Sequence, residues 1–404
     1  MKAPATGAVM AALTARGGVA RFVGGCVRDA VIGREVADVD IATAEPPETV
    51  IGLLEDAGLR AVPTGLAHGT VTAIAHGRPF EITTLRRDVE TDGRHAKVAF
   101  TDDWASDAAR RDFTFNAMFC DPDGTLYDPF DGAADLAAGR VRFVGDARAR
   151  IEEDVLRLLR FFRFYAHYGA PPPDADALQA CAALALRLPG LSGERVRVET
   201  LKLLAAPDPM AAVRLLAEAG ALPHFMPEAE GSDFTTLERL VAIETRLKAV
   251  DPVRRLAALV DGAARPETIA ERLRLSNAQA RRLRDLLRPP VAIGGAMDDR
   301  DARRALYRAG ADTYRDLVLL AWARDTAAAL DAASYERPWA LADAWPVPRF
   351  PLAGKDVLTR GVARGPRVGA LLAALETWWI DGDFHADKPA LLARLDELIA
   401  QDAR

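Results

Sequence analysis

The pattern of apolar and polar positions divides the chain into two parts. Between residues 20 and 145, short apolar runs of strand type alternate with turn-rich and helical pieces; the runs are ARFVGG, DVDIAT, GTVTAIA, FEITTL and RVRFVG. From about Ile151 onward, apolar residues recur at helical spacing, strand-type runs nearly vanish, and Pro and Gly separate the segments. The pattern therefore predicts an α+β fold, in which a mixed unit is followed by a helical array.

Length and composition indicate a globular protein with more than one core. The chain has 404 residues, of which 50% are hydrophobic and 27% charged, and no apolar stretch approaches the length of a membrane span. The three cysteines, Cys26, Cys120 and Cys181, are widely spaced and form no Cys-x-x-Cys pair. This usage is typical of a protein of the reducing cytoplasm without a cysteine zinc site.

The net charge of -6 is distributed unevenly along the chain. Taken whole, it argues against a nucleic-acid partner, because phosphate binding depends on Lys and Arg. Residues 1–140 carry a net -7, however, whereas residues 141–290 carry +3. Of the 52 basic residues 46 are Arg, which reflects either codon bias or bidentate recognition of phosphates and bases. Nucleic-acid binding by the middle of the chain is therefore left open.

Two short motifs in the first part suit a nucleotide and its metal. Gly24 and Gly25 lie between a predicted strand and a predicted helix, where backbone N–H groups and the helix dipole can approach an anion, although most such pairs are merely turns. Asp38 and Asp40 lie two apart in a strand-like run, so both side chains point to one face. Two convergent carboxylates can hold a magnesium pair that clamps a triphosphate, but they are also a common solvated surface pair.

Two later segments offer further polar candidates. Glu81 lies in another strand-like run and either adds a third carboxylate or points outward. Arg110, Arg111 and Asp112 open a predicted helix over residues 110–118. Two guanidinium groups suit phosphates and a carboxylate suits ribose hydroxyls, whereas the plainer interpretation is an acidic residue at a helix start.

A helix is also predicted over residues 151–168. Glu153, Asp154 and Arg157 lie three or four positions apart there, so they share one face. From spacing alone, this group is an intrahelical salt-bridge cluster on a solvated surface. A second predicted helix, over residues 271–288, holds six Arg against two acidic residues and either presents a solvated face or suits an RNA backbone.

Three motifs in a fixed order carry a resemblance to a known family. Gly-Gly-x-Val-Arg-Asp is followed by Asp-x-Asp and then by Arg-Arg-Asp-Phe-Thr-x-Asn-Ala. In this order they resemble the class II tRNA nucleotidyltransferases, the CCA-adding enzymes, and the related bacterial poly(A) polymerases of the polymerase-β-type nucleotidyltransferase superfamily. The specific motifs extend over residues 20–225, and the resemblance is looser beyond them.

The resemblance implies a division of the chain into four parts. A nucleotidyltransferase head with a small mixed or antiparallel sheet and helices comes first, and an all-α neck, body and tail follow. The neck is expected to recognise the nucleotide base, and the body and tail to bind tRNA. The four parts are residues 1–140, 141–225, 226–320 and 321–404.

The resemblance also implies roles for the site residues. Asp38 and Asp40 are expected to be catalytic and to hold two Mg²⁺ ions, with Glu81 as a third catalytic carboxylate. Arg111 and Asp112 are expected to grip phosphate and ribose. The other nucleotide-binding residues implied are Gly24, Gly25, Arg28, Glu153, Asp154, Arg157 and Arg160.

In the resembling family, the Glu-Asp-x-x-Arg motif replaces a nucleic-acid template, and the chemistry is coherent. Cytosine and adenine both present an amino donor beside an unprotonated ring nitrogen, whereas uracil and guanine present a carbonyl beside a ring N–H. An Asp acceptor and an Arg donor therefore fit C and A and mismatch U and G. Asp154 and Arg157 are accordingly expected to read the base, with Glu153 holding Arg157.

The implied function is template-independent addition of CCA to the 3′ end of tRNA, using CTP and ATP and releasing diphosphate. Residues 65–72 and 84–100 look like the CCA-adding branch rather than a poly(A) polymerase. A poly(A) polymerase, a partial enzyme that adds only CC or only A, and a non-catalytic RNA-binding protein on this fold stay as alternatives. The sequence indicates no membrane partner and leaves the oligomeric state open.

Overall fold

The computed structural model describes residues 3–92, 95–260, 264–295, 297–326 and 332–401, with side chains throughout except at 88–92 and 95–97. The chain divides into two compact units, Met1–Glu230 and Gly231–Arg404. Within the described residues, no helix is both long and apolar enough to cross a membrane. The four-part division of the chain stays a prediction, although the break between the units lies close to the predicted end of the neck.

The first unit contains all the strands found in the described residues. They are β1 Ala20–Val23, β2 Asp40–Thr43, β3 Arg60–Gly65, β4 Thr70–Ala75, β5 Arg78–Thr84, β6 Arg86–Asp92, β7 His95–Phe100, β8 Phe119–Cys120 and β9 Leu126–Tyr127. Seven of them form one sheet in the order β3-β4-β5-β2-β1-β8-β9, while β6 and β7 form a separate hairpin. The β2–β5 pair is parallel and the other pairs are antiparallel, so the predicted mixed sheet is confirmed.

The helices of the first unit flank this sheet and continue beyond it. They are α1 Pro4–Thr14, α2 Gly25–Val31, α3 Pro47–Asp56, α4 Trp104–Ala109, α5 Gly132–Ala137, α6 Ala147–Glu153, α7 Leu156–Tyr168, α8 Ala175–Leu184, α9 Gly193–Leu204 and α10 Met210–Glu218. Short 3₁₀ turns lie at Leu66–His68, Thr114–Asn116, Ala185–Gly190, Leu222–His224 and Pro227–Ala229. No strand follows β9 in the described residues, so the predicted α+β fold with a helical remainder is confirmed.

An aromatic cluster joins the sheet to the helices behind it. The rings of Phe113 and Phe143 lie 4.6 Å apart, and Phe164 of α7 packs edge-on against Phe113 at 5.2 Å and Phe115 at 5.4 Å. Phe113, Phe115 and Phe143 are fully buried. Aromatic pairs in these geometries add to the free energy of burying the rings themselves. The segment after α4 is thereby fixed against α7, which carries candidate site residues.

The helix predicted over residues 151–168 is two helices. The backbone of Asp154 is extended (φ -151°, ψ 105°), and α6 ends before it while α7 begins at Leu156. The carboxylate of Asp154 accepts a hydrogen bond from the Leu156 backbone N–H at 3.1 Å. Acidic side chains favour such local bonds over continuation of a helix, and apolar periodicity does not register them. Glu153 and Asp154 therefore end one helix and cap the next rather than sharing one helical face.

The second unit is helical throughout its described residues. Its helices are α11 Thr235–Leu247, α12 Pro252–Leu259, α13 Pro266–Arg272, α14 Asn277–Leu287, α15 Asp299–Ala309, α16 Ala311–Arg324, α17 Ala333–Ala344, α18 Gly354–Leu358, α19 Pro366–Asp381 and α20 Lys388–Gln401. The single helix predicted over residues 271–288 is wrong. Arg274 adopts a left-handed backbone (φ 49°), and Ser276 with Gln279 forms a capping box that starts α14.

Two groups of buried side chains, one apolar and one ionic, stabilise the second unit. Buried Leu, Val and Trp side chains around Trp379 pack α18, α19 and α20 together. A second core contains charged groups: Glu244 of α11 accepts hydrogen bonds from Arg254 and Arg255 of α12, and Asp316 of α16 accepts from Arg254 and from Arg282 of α14. Buried charges persist only when they are paired and hydrogen-bonded in this way.

Candidate active site

The candidate carboxylates meet at one edge of the sheet. In the parallel pairing of β2 with β5, Asp40 lies directly beside Glu81. Burial raises the pKa of Asp40 above its ordinary value, and the negative charges of Glu81 and Asp38 raise it further. Asp40 is half-buried, while Asp38 and Glu81 are exposed. The three predicted carboxylates are therefore close enough to repel one another and open to a ligand.

Asp38 does not lie in the strand that was predicted to contain it. It lies in a bend two residues before β2, so only Asp40 belongs to the strand. The neighbouring strand β1 ends at Val23, where the chain turns at Gly24. Asp38 therefore lies outside the strand, and the prediction that both side chains belong to one strand was wrong.

The chemistry of this edge fits a divalent cation. Carboxylate oxygens are the ligands that hard cations prefer, and the raised pKa of Asp40 reflects burial and negative charge that a cation would neutralise. Within the described residues, no group of three or more His, Cys, Asp and Glu side chains is arranged to hold a metal ion. A cation here therefore needs further oxygens from substrate and water, as magnesium sites in nucleotide enzymes commonly do.

The predicted glycine pair forms the turn that leads from β1 into α2. Gly24 has φ 71° and ψ -126°, a conformation that side-chain-bearing residues rarely adopt, and its N–H donates to the Met118 carbonyl at 3.3 Å. A Cβ placed on Gly24 would lie 3.5 Å from Nη1 of Arg111, and one on Gly25 would lie 3.6 Å from Nη2 of Arg28. Both glycines thus leave room between the backbone and a guanidinium group.

Arg28 is held firmly beside this turn. Its Nε and Nη2 donate to the two carboxylate oxygens of Asp29 at 3.0 Å each, and its Nη1 donates to Asn116 at 2.7 Å. The Tyr168 ring lies 4.4 Å from the guanidinium carbon, and its hydroxyl donates to Asp29. Charge-assisted and cation–π contacts together fix the direction of this side chain.

The segment Arg110–Met118 is not the predicted helix. Helix α4 ends before it, and only Thr114–Asn116 forms a 3₁₀ turn. The buried Asp107, on the last turn of α4, accepts hydrogen bonds from both Arg110 and Arg111. Sequence reasoning missed Asp107, although an acidic residue three and four positions before two arginines is a recognisable helix pair.

Asp112 is buried, and both of its carboxylate oxygens accept hydrogen bonds. One oxygen accepts from the Phe113 N–H and from Asn116, and the other accepts from Arg160 Nε at 2.6 Å. Burial by itself would raise the pKa of Asp112, but Arg160 and Asn116 more than offset it, so the pKa lies below its ordinary value. The carboxylate is therefore ionised and anchors Arg160 of α7.

A continuous line of hydrogen bonds runs across the site. Arg28 donates to Asn116, Asn116 donates to Asp112, and Arg160 donates to Asp112 from the other side. The line joins the glycine turn to α7, so it connects two groups of predicted site residues. Asn116 occurs in the quoted Arg-Arg-Asp-Phe-Thr-x-Asn-Ala motif, but its bridging position was not predicted.

The Glu-Asp-x-x-Arg group is present with an unpredicted partner. Glu153 accepts a hydrogen bond from Arg157, which also donates to the Arg110 carbonyl at 3.3 Å. The carboxylate of Asp154 accepts from Arg195 Nη2 of α9 at 2.6 Å. The contact expected between Glu153 and Arg157 therefore exists, and Arg195 is a further charged member of the group that lies 41 residues from Asp154.

One predicted element lies mostly outside the described side chains. The resemblance of residues 84–100 to the CCA-adding branch includes Asp92, Gly93, Arg94 and His95. Residues 93–94 fall outside the described residues, as do the side chains from 88 to 97. The expectation stays a prediction.

Family models match two stretches of the chain. Residues 20–142 match the poly A polymerase head domain, and residues 173–232 match the probable RNA and SrmB-binding site of polymerase A. The first stretch contains the glycine turn, the carboxylates and Asp112, and the second contains Arg195.

Relatives match nearly the whole chain. The mitochondrial CCA tRNA nucleotidyltransferase 1 of Danio rerio is 36% identical over 93% of this chain and 87% of its own length. The CCA-adding enzyme of Levilactobacillus brevis is 32% identical over 94% of each chain. A crystal structure of the Bacillus stearothermophilus CCA-adding enzyme in complex with CTP superposes with a TM-score of 0.78, at 28% identity, over 100% of this chain and 99% of that one.

Proposed function

The chain belongs to the CCA tRNA nucleotidyltransferases, the class II CCA-adding enzymes, and on this premise we propose how its residues add CCA to the 3′ end of tRNA. The position of Arg111 carries the proposal. Its Nη1 lies beside Gly24, and its charge lowers the pKa of Asp40 against burial and the neighbouring carboxylates. A triphosphate seated against the glycine turn would therefore meet both the arginine and the carboxylates.

The carboxylate edge is the proposed metal site. Asp38 and Asp40 would hold Mg²⁺, and Glu81 adds negative charge beside Asp40. When bound, Mg²⁺ neutralises phosphate charge and makes the attacking hydroxyl more acidic. The reaction is in-line attack of the tRNA 3′ hydroxyl on the α-phosphate, with diphosphate as the leaving group.

The glycine turn and two arginines form the proposed triphosphate site. Gly24 and Gly25 let the backbone approach the phosphates, and Arg28 and Arg111 flank the turn with their guanidinium groups. Both arginines are held by protein carboxylates, so they bind without first being ordered. Positioning of this kind accounts for most of the catalysis of phosphoryl and nucleotidyl transfer.

The proposed base site lies at the junction of α6 and α7. Asp154 would accept from the amino group of C or A, and Arg157, paired with Glu153, would donate to the unprotonated ring nitrogen. Asp112 has both oxygens engaged and holds Arg160, so it supports this site in addition to its predicted ribose contact. U and G would leave Asp154 and Arg157 with mismatched partners, at a cost of about 1–3 kcal/mol for each unpaired group.

The partner we propose is tRNA, bound in part by the helical second unit. Three of the six arginines between residues 271 and 288 form ion pairs with acidic residues, namely Arg282, Arg284 and Arg288. The proposed RNA contact includes Arg281, which lies exposed on α14. The free thiols of the three cysteines accord with a reducing, cytoplasmic location.

One assay tests the proposed function. The protein is incubated with Mg²⁺, tRNA lacking its terminal CCA, and labelled CTP, ATP, UTP or GTP, singly and combined, and the products are sized. We expect two C additions with CTP and one further A when ATP is present, with little incorporation of U or G. The Asp40→Asn variant should lose about 10³-fold or more of the activity, because it removes a charged oxygen from the proposed metal site.

Other outcomes would each favour a different alternative. Long A-tracts would indicate a poly(A) polymerase, and products that stop after CC, or that gain only A, would indicate a partial enzyme. Binding of tRNA without any product would indicate a non-catalytic RNA-binding protein.

A further inference from the structure

Asp107 is the most buried carboxylate next to the proposed triphosphate site, and its side chain is 1% exposed. One oxygen accepts from Arg110 Nε at 2.8 Å and from the Arg86 backbone N–H at 3.1 Å. The other accepts from Arg111 Nη2 at 2.8 Å and Nε at 3.2 Å. A single side chain therefore anchors both arginines of the Arg-Arg-Asp motif.

These contacts leave Arg111 with one guanidinium nitrogen for another ligand. Nε and Nη2 face Asp107, and the flat face of the group lies 5.3 Å from the Phe119 ring. Nη1 has no hydrogen-bond partner among the described residues, and it is the atom 3.5 Å from the Cβ position of Gly24. Because a guanidinium group is planar, fixing two of its nitrogens also fixes the direction of the third.

Burial and charge make this anchor effective. Burial by itself would raise the pKa of Asp107, but Arg111 and Arg110 offset it, so the pKa lies below its ordinary value. The carboxylate is thus ionised in the folded protein. In a neutral amide of the same shape, one of the two oxygens is replaced by an NH2 donor, which cannot accept a hydrogen bond from the arginine that faces it.

We infer that Asp107 is a positioning residue that directs Nη1 of Arg111 at the phosphates of the incoming nucleotide. The inference rests on the proposed role of Arg111 and deepens it. Asp107 touches no substrate and acts through Arg111. It therefore contributes to the affinity for the triphosphate, which CTP and ATP share, and not to the choice between bases.

The experiment measures binding of inorganic tripolyphosphate and of CTP to the full-length protein by calorimetry, with and without Asp107→Asn. We expect the variant to weaken both ligands by about tenfold, the size of one well-directed charge-assisted hydrogen bond. The preference for CTP over UTP in kcat/KM should not change. Arg111→Ala should weaken the binding of both ligands similarly, and the double variant should bind them no more weakly than Arg111→Ala alone.

Asp135→Asn is the matched control for loss of a buried ion pair. Asp135 is also buried and pairs with Arg142 and the Thr114 hydroxyl, neither of which is among the proposed phosphate-binding residues. The Asp135→Asn variant should have a lower melting temperature without weaker binding of tripolyphosphate. Equal tripolyphosphate losses in the Asp107→Asn and Asp135→Asn proteins would overturn the inference, because general destabilisation would then explain both.

Two further results separate the possible failures. If Asp107→Asn weakens binding as much in the Arg111→Ala background as in the native protein, Asp107 does not act through Arg111 and the inference fails. If Arg111→Ala has no effect, the proposed role of Arg111 itself fails. Should Asp107→Asn not fold, Arg111→Lys decides, since lysine keeps the charge but cannot bind Asp107 through two nitrogens; native tripolyphosphate affinity in that variant would sink the inference.

Discussion

In the candidate site, several charged side chains are held in place by partners of opposite charge. Glu153 pairs with Arg157, Asp154 with Arg195, and Asp112 with Arg160. An ionised group held by its counter-charge presents its remaining lone pairs or protons in a fixed direction. The proposed selection among bases therefore depends on charges whose own positions are set by other elements.

Asp154→Asn tests base selection at this scale. Asparagine can still cap α7 through its side-chain oxygen, but it loses the negative charge that faces Arg195 and that is proposed to face the base. We expect the preference for CTP over UTP, measured as the ratio of kcat/KM values, to fall by about 10- to 100-fold. Arg157→Ala should lower the same ratio.

The control for that change is Asp146→Asn. Asp146 caps α6 through a hydrogen bond from the Ala149 N–H at 2.7 Å, so the chemistry of the substitution is the same. It should leave the nucleotide preference unchanged. An unaltered preference in Asp154→Asn as well would contradict the base-reading role.

Among the secondary-structure elements, the turn between β1 and α2 is the one on which the proposed triphosphate site depends. The pairing of β1 with β2 and with β8 places the start of β2 and the start of β8 beside the end of β1, where this turn begins. Helix boundaries were the weakest part of the sequence prediction, at residues 110–118, 151–168 and 271–288. Each miss has a local cause, such as the capping by Asp154 or Ser276, which apolar periodicity cannot detect.

Gly24→Ala tests the turn. Its positive φ strains any residue with a side chain, at a cost of about 1–3 kcal/mol, and the displaced turn would disturb the spacing to Arg111. We expect kcat/KM for both CTP and ATP to fall by roughly 10- to 100-fold. Denaturant unfolding measures the loss of stability and steady-state kinetics the loss of activity.

Gly33→Ala provides the comparison. Gly33 has nearly the same φ, 70°, with nothing within 4 Å of its Cβ position, and it follows α2 outside the proposed site. It should lose similar stability and keep the native kcat/KM. Equal kinetic losses in both variants would show that strain, and not the phosphate turn, explains the effect.

At the scale of the whole molecule, the proposed chemistry belongs to one unit and the other unit is helical. All the proposed catalytic and nucleotide-binding residues lie in the first unit, whereas the buried ionic network lies in the second. In that network Glu244 and Arg255 are fully buried, and Asp316 accepts from two arginines. Breaking such a network by removing one partner is far more costly than breaking a surface pair.

Asp316→Ala should lower the free energy of unfolding by about 3–5 kcal/mol, because it leaves Arg254 and Arg282 without their shared partner. Binding of CTP, measured by calorimetry below the melting temperature, should stay native. Asp343→Ala is the control, since it removes an exposed pair with Arg315 and should cost no more than about 1 kcal/mol. Weakened CTP binding in Asp316→Ala would contradict this independence.

The sequence by itself determined the α+β order and the family motifs that identify the candidate site residues. These are local properties, since periodicity, turn residues and motif order are read along the chain. Only the tertiary structure decided the partners: Asp107 with both arginines, Asn116 between Arg28 and Asp112, and Arg195 against Asp154. The Arg28–Asn116 and Asp154–Arg195 contacts join residues 88 and 41 positions apart, and their geometry depends on how helices and strands pack, which no local pattern encodes.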